Sequence, residues 1–214
     1  MFRKKEMDGQ LHHPFTCIVA GPTGSGKSSW ITKLISNAAK LVSPPIEKII
    51  WCYSEWQLLY DQYKGKIEFH EGVPTENELA PIHVRKLIVI DDLTETANAT
   101  VAQLFTRKSH HWNTSVIYVT QNLFDKNKYN RTISINAHYI VCFKNPRDSA
   151  SIQYLARQMF CGHAPFMIEA YKNATRDAYG YLFIDARQET PDEYRLRTNI
   201  FPGETQFVYV QKNK

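Results

Sequence analysis

Phe15 to Ile35 reads FTCIVAGPTGSGKSSWITKLI, and this stretch narrows the possible folds more than any other. Phe15 to Ala20 is a short apolar run of the kind that forms a buried strand. Gly21, Pro22, Thr23, Gly24, Ser25, Gly26, Lys27 and Ser28 follow at once and match G-x-x-x-x-G-K-[ST]. From Ser29 onward, Trp30, Ile31, Leu34, Ile35 and Ala38 recur at helical spacing. Strand, glycine loop and helix in that order form a phosphate-binding unit. The glycines let the backbone curl so that several N–H groups point inward. The helix adds the positive end of its dipole. Lys27 can reach β- and γ-phosphates, the Ser28 hydroxyl can ligand Mg²⁺, and Ser29 continues the phosphate-facing turn.

A chain of 214 residues suits one domain, and 43% hydrophobic with 22% charged residues is an ordinary globular composition. The formal net charge of +5 is compatible with a nucleic-acid partner and does not by itself demand one. Cys17, Cys52, Cys142 and Cys161 have no metal-ligand spacing. The first three fall in apolar strands and are expected as buried reduced thiols, which points to a reducing compartment. Cys161 with His163 supplies too few ligands for a metal site. No apolar run is long enough for a membrane span, and no signal-peptide pattern is present.

Met1 to Pro14, with Arg3, Lys4 and Lys5, is expected as a polar leader that frays. Further strands are expected at Lys48–Tyr53, Ile67–His70, Lys86–Asp92, Ser115–Thr120, His138–Phe143 and Tyr181–Asp185. Trp56–Tyr63 reads as a short helix and Gly72–Pro81 as a loop. A helix with Ala97, Val101, Leu104 and Phe105 on one face follows the Lys86–Asp92 strand. Arg107–Trp112 reads as a basic and aromatic turn, and Asp125–Arg131 as a polar, basic loop. Asn145-Pro146 signals the start of the helix carrying Ile152, Leu155, Ala156, Met159 and Phe160. Pro165–Thr175 is a further helix. Arg195–Val210, interrupted by Pro202-Gly203, reads as a terminal β-hairpin. The resulting division is a leader at 1–14, a P-loop domain at 15–185 and a β extension at 186–214.

Alternating strands and helices imply an α/β fold, three layers deep, around a mostly parallel sheet. Functional groups then gather at the carboxyl ends of the strands. Gly21–Ser28, Glu55, Asp91-Asp92 and Gln121 all follow strand ends and can share one edge, whereas Arg107–Trp112 precedes a strand and belongs at the opposite edge. Asp91 closes an apolar strand and suits Mg²⁺ beside Ser28. Asp92 is placed to orient water as general base, with Glu55 as the alternative. Gln121 could sense the γ-phosphate, with Thr120 as its competitor. A guanine-reading N-K-x-D is missing, since Asn127-Lys128-Tyr129-Asn130 lacks the Asp. There is no L-S-G-G-Q stretch, and no arginine-rich kinase lid is evident.

GPTGSGKSSW, LIVIDDL, VIYVTQNLF and RTISINAHYIVCFKNPRD, taken in that order, resemble the genome-packaging ATPases of double-jelly-roll DNA viruses in the FtsK/HerA superfamily. The likeness is to the Polinton/Maverick, adintovirus and virophage type, more distantly to the poxvirus packaging ATPase, and it covers roughly Phe15 to Phe160. The resemblance implies a P-loop fold of the additional-strand type and a hexameric or pentameric ring. It implies ATP hydrolysis with Mg²⁺ that drives double-stranded DNA, read without sequence preference, into a capsid inside an infected cell. It also implies an arginine supplied by a neighbouring subunit: Arg131 before I-S-x-N, or Arg147 in FKNPRD. Many members carry Asp-Glu where this chain has Asp91-Asp92, which leaves the base open. Lys126, Lys128 and Arg107–Trp112 are candidate DNA contacts. A kinase, or a virion-assembly protein that uses ATP without moving DNA, are the competing readings.

Overall fold

Continuous apolar runs leave a strand no polar face, so a sheet built from them must be covered on both sides. The computed structural model describes residues 9–75, 79, 83–91, 93, 98–124 and 128–211. In chain order it contains β1 (Leu11–His12), β2 (Thr16–Ala20), α1 (Lys27–Ser36), α2 (Ala38–Leu41), β3 (Val42–Ser43) and β4 (Lys48–Tyr53). A 3-10 turn at Leu58–Tyr63 precedes β5 (Glu68–Glu71) and β6 (Lys86–Ile90). Next come α3 (Asn98–Gln103), a π-helical turn at Leu104–Lys108, α4 (Ser109–His111) and β7 (Thr114–Thr120). The chain continues through α5 (Lys128–Ile135), β8 (Tyr139–Phe143), α6 (Ala150–Met159), α7 (Ala164–Ala174), β9 (Tyr181–Asp185), β10 (Leu196–Thr198) and β11 (Phe207–Tyr209).

One nine-stranded sheet runs β5-β4-β6-β7-β2-β8-β9-β10-β11. The strands from β5 to β8 are mutually parallel, and β9, β10 and β11 continue the sheet antiparallel. β2, β6, β7, β8 and β9 are buried at every position. Alternate side chains along them feed two cores. On one face Cys17, Val19, Leu87, Val89 and Val141 meet Trp30, Ile31 and Leu34 of α1 and Leu41 of α2. On the other, Ile18, Ile88, Val116 and Ile140 meet Val101 of α3, Ile133 of α5, Leu155 of α6 and Met167 of α7. This is the expected three-layer α/β architecture. Leu34 is fully buried, so Leu34→Ala would cost about 2–5 kcal/mol.

β7 lies between β2, which leads into the glycine loop, and β6, which ends at Asp91. That inserted strand is the additional-strand arrangement. It also carries Gln121 to the middle of the functional edge, because Ala20 pairs with Thr120 and Ile90 with Tyr118.

Four local expectations are corrected. Part of the leader is packed: Leu11 is 1% exposed, β1 pairs with β3, and His13 is held by Ser115 and Asn113. Arg107–Trp112 is helical through His111, because no glycine or proline interrupts the run after Asn98. It does lie at the sheet edge opposite the glycine loop, immediately before β7. The basic loop ends sooner than expected, with α5 starting at Lys128. Asn145-Pro146 does not open α6. Asn145 Oδ1 accepts the Arg147 N–H at 3.1 Å, and Asp148 Oδ1 accepts those of Ala150 and Ser151, each at 3.1 Å. The Ser151 hydroxyl bond to Asp148 is the largest cause holding that carboxyl below its usual range. Cys17, Cys52 and Cys142 are buried and in no disulfide, and Cys161 is exposed.

Candidate functional site

At the carboxyl edge the Gly21 N–H donates to Thr120 O at 3.2 Å, and the Asp91 N–H to Cys52 O at 2.9 Å. These bonds extend the β2–β7 and β4–β6 pairings by one residue each. They bring the glycine loop and Asp91 to one cleft of about 320 Å³. Its walls include Thr23, Gly24, Gly26, Lys27, Ser28 and Ser29 from the loop and α1, Asp91 after β6, and Thr120 and Gln121 after β7.

Two glycines are required by the geometry. Gly26 has φ +102° where it caps α1, a conformation costly for residues with a Cβ. At Gly21 a Cβ would come within 2.7 Å of both Phe143 Cβ and Ser25 Oγ, closer than real side chains pack. The Lys27 ammonium donates to Gly21 O at 2.6 Å and Pro22 O at 3.0 Å. The lysine therefore closes over its own loop, and an incoming phosphate would compete with those carbonyls for the same protons.

Asp91 is 5% exposed, and its Oδ2 accepts the Tyr60 hydroxyl at 3.2 Å. Hydroxyl and carboxylate oxygens at Ser28 and Asp91 are the hard donors that Mg²⁺ takes. Among the described residues no group of three or more His, Cys, Asp or Glu is placed to hold a metal. Two oxygen donors, Ser28 and Asp91, fit an ion shared between protein and phosphate oxygens.

Thr120 points its hydroxyl at Asn122 O (2.9 Å) and accepts the Asn122 N–H (3.2 Å). Its oxygen serves the turn, and Gln121 beside it is an exposed amide at the cleft. Glu55 is exposed and does not belong to the cleft wall; Gln57, two residues on, does. Arg131 on α5 and Arg147 in the loop before α6 are both exposed and lie outside the cleft wall. Asp92 and Lys126 lie outside the described residues, and Lys128 is described only as the first residue of α5. Lys108 stacks its ammonium on the Trp112 ring at 4.8 Å. Sequence reasoning missed Gln57, Tyr60 and Tyr179, which reach the site through tertiary contacts rather than through any motif.

The strand order and the glycine-loop cleft define a P-loop NTPase fold. No protein-family model matches the chain, and no curated protein matches it. Solved structures do. The genome packaging NTPase B204 from Sulfolobus turreted icosahedral virus 2, in complex with sulfate, aligns with TM-score 0.57 at 14% identity over 84% of this chain and 95% of that one. The same protein with ATP-gammaS aligns with TM-score 0.54 at 15% identity, and with AMPPCP at 0.53 and 14%; each covers 83% of this chain and 95% of the other. At that identity the likeness shows the fold.

Proposed function

We propose that this chain is an ATP-hydrolysing motor that drives double-stranded DNA into a viral capsid inside an infected cell, of the kind found in Polinton- and adintovirus-like elements. The observation that carries the reading is the convergence of Lys27, Ser28 and Asp91 on one cleft. The packaging role of the structurally similar B204 supports the biological setting.

In this reading the backbone N–H groups of Gly24, Gly26, Lys27, Ser28 and Ser29 cradle the triphosphate, and Lys27 leaves its loop carbonyls for the β- and γ-phosphates. Ser28 and Asp91 would hold Mg²⁺, which would supply positive charge to the phosphate oxygens. Asp92, adjacent to Asp91, orients water as general base, and Gln121 hydrogen-bonds at the γ-phosphate end. The exposed positions of Arg131 and Arg147 suit donation to a neighbouring subunit's site in a hexameric or pentameric ring, with Arg131 the first choice. Contacts to DNA are to phosphates, through Lys126, Lys128 and the Arg107–Trp112 helix. No helix among the described residues is long and apolar enough to cross a membrane.

The test is ATP hydrolysis with and without duplex DNA, beside a mass measurement. A motor gives DNA-stimulated turnover, abolished in Lys27→Ala, from a ring. Phosphoryl transfer to a small acceptor with no response to DNA would replace this reading with a kinase. Assembly that needs ATP but persists in Asp92→Asn would replace it with a scaffold.

A further inference from the structure

A second cleft, of about 730 Å³, opens on the other side of the glycine loop and shares Gly26, Ser29 and Tyr179 with the first. Tyr179 separates the two. A Cβ placed on Gly26 would lie 3.1 Å from Tyr179 Cδ1, so the ring rests on the loop; yet Tyr179 is 71% exposed. Its φ of +62° is a left-handed conformation that a bulky residue rarely adopts. Asn199, with φ +55°, lines the same cleft. Such conformations concentrate where a ligand is clamped.

The cleft's chemistry limits what it takes. Trp30, Tyr181 and Phe201 back it with buried aromatic surface. Its charged residues are matched: Lys33 pairs with Glu204, and Arg176 with Asp177 at 3.5 Å. A neutral planar occupant suits that balance, and a second anion does not. Asp91 lines the phosphate cleft and not the second one, and the terminal phosphate and metal belong on its side. A nucleoside attached to the other end of the triphosphate must leave past Ser29 and Tyr179.

Building on the phosphate-loop reading, we infer that this second cleft seats the base of the nucleotide and that the exposed face of Tyr179 stacks on it. The position is a stacking platform rather than a hydrogen-bonding reader, so it favours purines for their larger face over pyrimidines.

Binding of Mg-ATP, Mg-CTP and inorganic tripolyphosphate by calorimetry tests this on the full chain and on Tyr179→Phe and Tyr179→Asn. Asparagine accepts the left-handed backbone, so that variant removes the ring without adding strain. The expected result is ATP binding weakened roughly tenfold in Tyr179→Asn, near-parent binding in Tyr179→Phe, and tripolyphosphate binding equal in all three. The parent should also prefer ATP to CTP. Equal loss of ATP and tripolyphosphate in Tyr179→Asn would make the ring a mere prop for Gly26, and undiminished ATP binding would place the base elsewhere; either overturns the inference. Failure of the parent to bind tripolyphosphate or ATP would instead overturn the phosphate-loop reading beneath it.

Discussion

Tyr60 donates its hydroxyl proton to Asp91 Oδ2 across 3.2 Å, and both residues are buried. Tyr60 sits in an aromatic cluster, 5.4 Å from the Trp51 and Trp56 ring centroids and stacked on Phe69 at 5.1 Å. The carboxylate that would hold Mg²⁺ is therefore aimed by a side chain that cannot easily move.

Tyr60→Phe keeps that packing and removes only the hydrogen bond. Groups that orient a metal ligand typically change metal affinity by about 10- to 100-fold when lost. The Mg²⁺ concentration for half-maximal ATPase should rise at least tenfold, with little change in maximal rate at saturating Mg²⁺. Unchanged Mg²⁺ dependence in Tyr60→Phe would mean that Tyr60 serves packing alone.

The exposed arginines are separable by mixing. Lys27→Ala has a dead cleft but a normal Arg131; Arg131→Ala has the reverse. If Arg131 acts on a neighbour, each alone should lose on the order of 10³-fold or more in turnover, and mixed rings should regain activity where an intact cleft meets an intact arginine. No recovery on mixing, with Arg147→Ala recovering instead, would move the role to the loop before α6.

How much of this was legible in the sequence depends on how far apart the cooperating residues lie. The glycine loop, its strand and its helix are contiguous, and residues 15–35 carry the whole phosphate cradle. The buried strands were equally plain, because a parallel sheet covered on both faces needs unbroken apolar runs. What escaped was contact across the chain. Tyr60 meets Asp91 from 31 positions away, and His13 meets Ser115 from 102. The left-handed backbone at Tyr179 has no signature in residue type, since tyrosine is not a residue that favours it. Asn145-Pro146 carried the local signal for a helix start, but the helix begins only at Ala150, where Asp148 supplies the acceptor for its first N–H groups.

Asp185 lies at the end of β9 that pairs with Tyr139, at the sheet edge away from the glycine loop. It is 1% exposed, and its Oδ2 accepts from Arg187 at 2.9 Å and Arg197 at 3.1 Å; Arg195 donates to its carbonyl oxygen at 3.1 Å. This ties β9 to β10. Asp185→Asn removes the buried carboxylate that Arg187 and Arg197 share and should destabilise the fold by about 3–5 kcal/mol. Urea unfolding measures it, and a loss under about 1 kcal/mol would show that the cluster is screened like a surface pair.

The opposite edge of the sheet is built to need neutral histidines. His13 Nε2 donates to Asn113 Oδ1 at 2.9 Å, and its Nδ1 accepts the Ser115 hydroxyl at 2.7 Å. His138 Nδ1 accepts the Thr16 N–H at 3.0 Å. Burial is the largest cause depressing both below the usual 6.5. Arg85 adds to the effect on His13 against Glu47 and the Asn113 bond, while His110 and Arg187 add to it on His138 against Glu189 and Asp185. The sign follows from linkage: above about pH 6.5 both histidines are neutral in folded and unfolded chains, and nothing is lost. As pH falls through that value the unfolded chain binds protons that the native imidazoles refuse, so stability declines, by up to about 1.4 kcal/mol per pH unit for each histidine. His13→Gln should flatten the dependence of the urea midpoint between roughly pH 7 and pH 5, and the leader at Leu11–His12 should gain hydrogen-exchange protection less steeply with rising pH than in the parent. An unchanged slope in His13→Gln would show that His13 protonates as freely in the folded protein as in the unfolded chain.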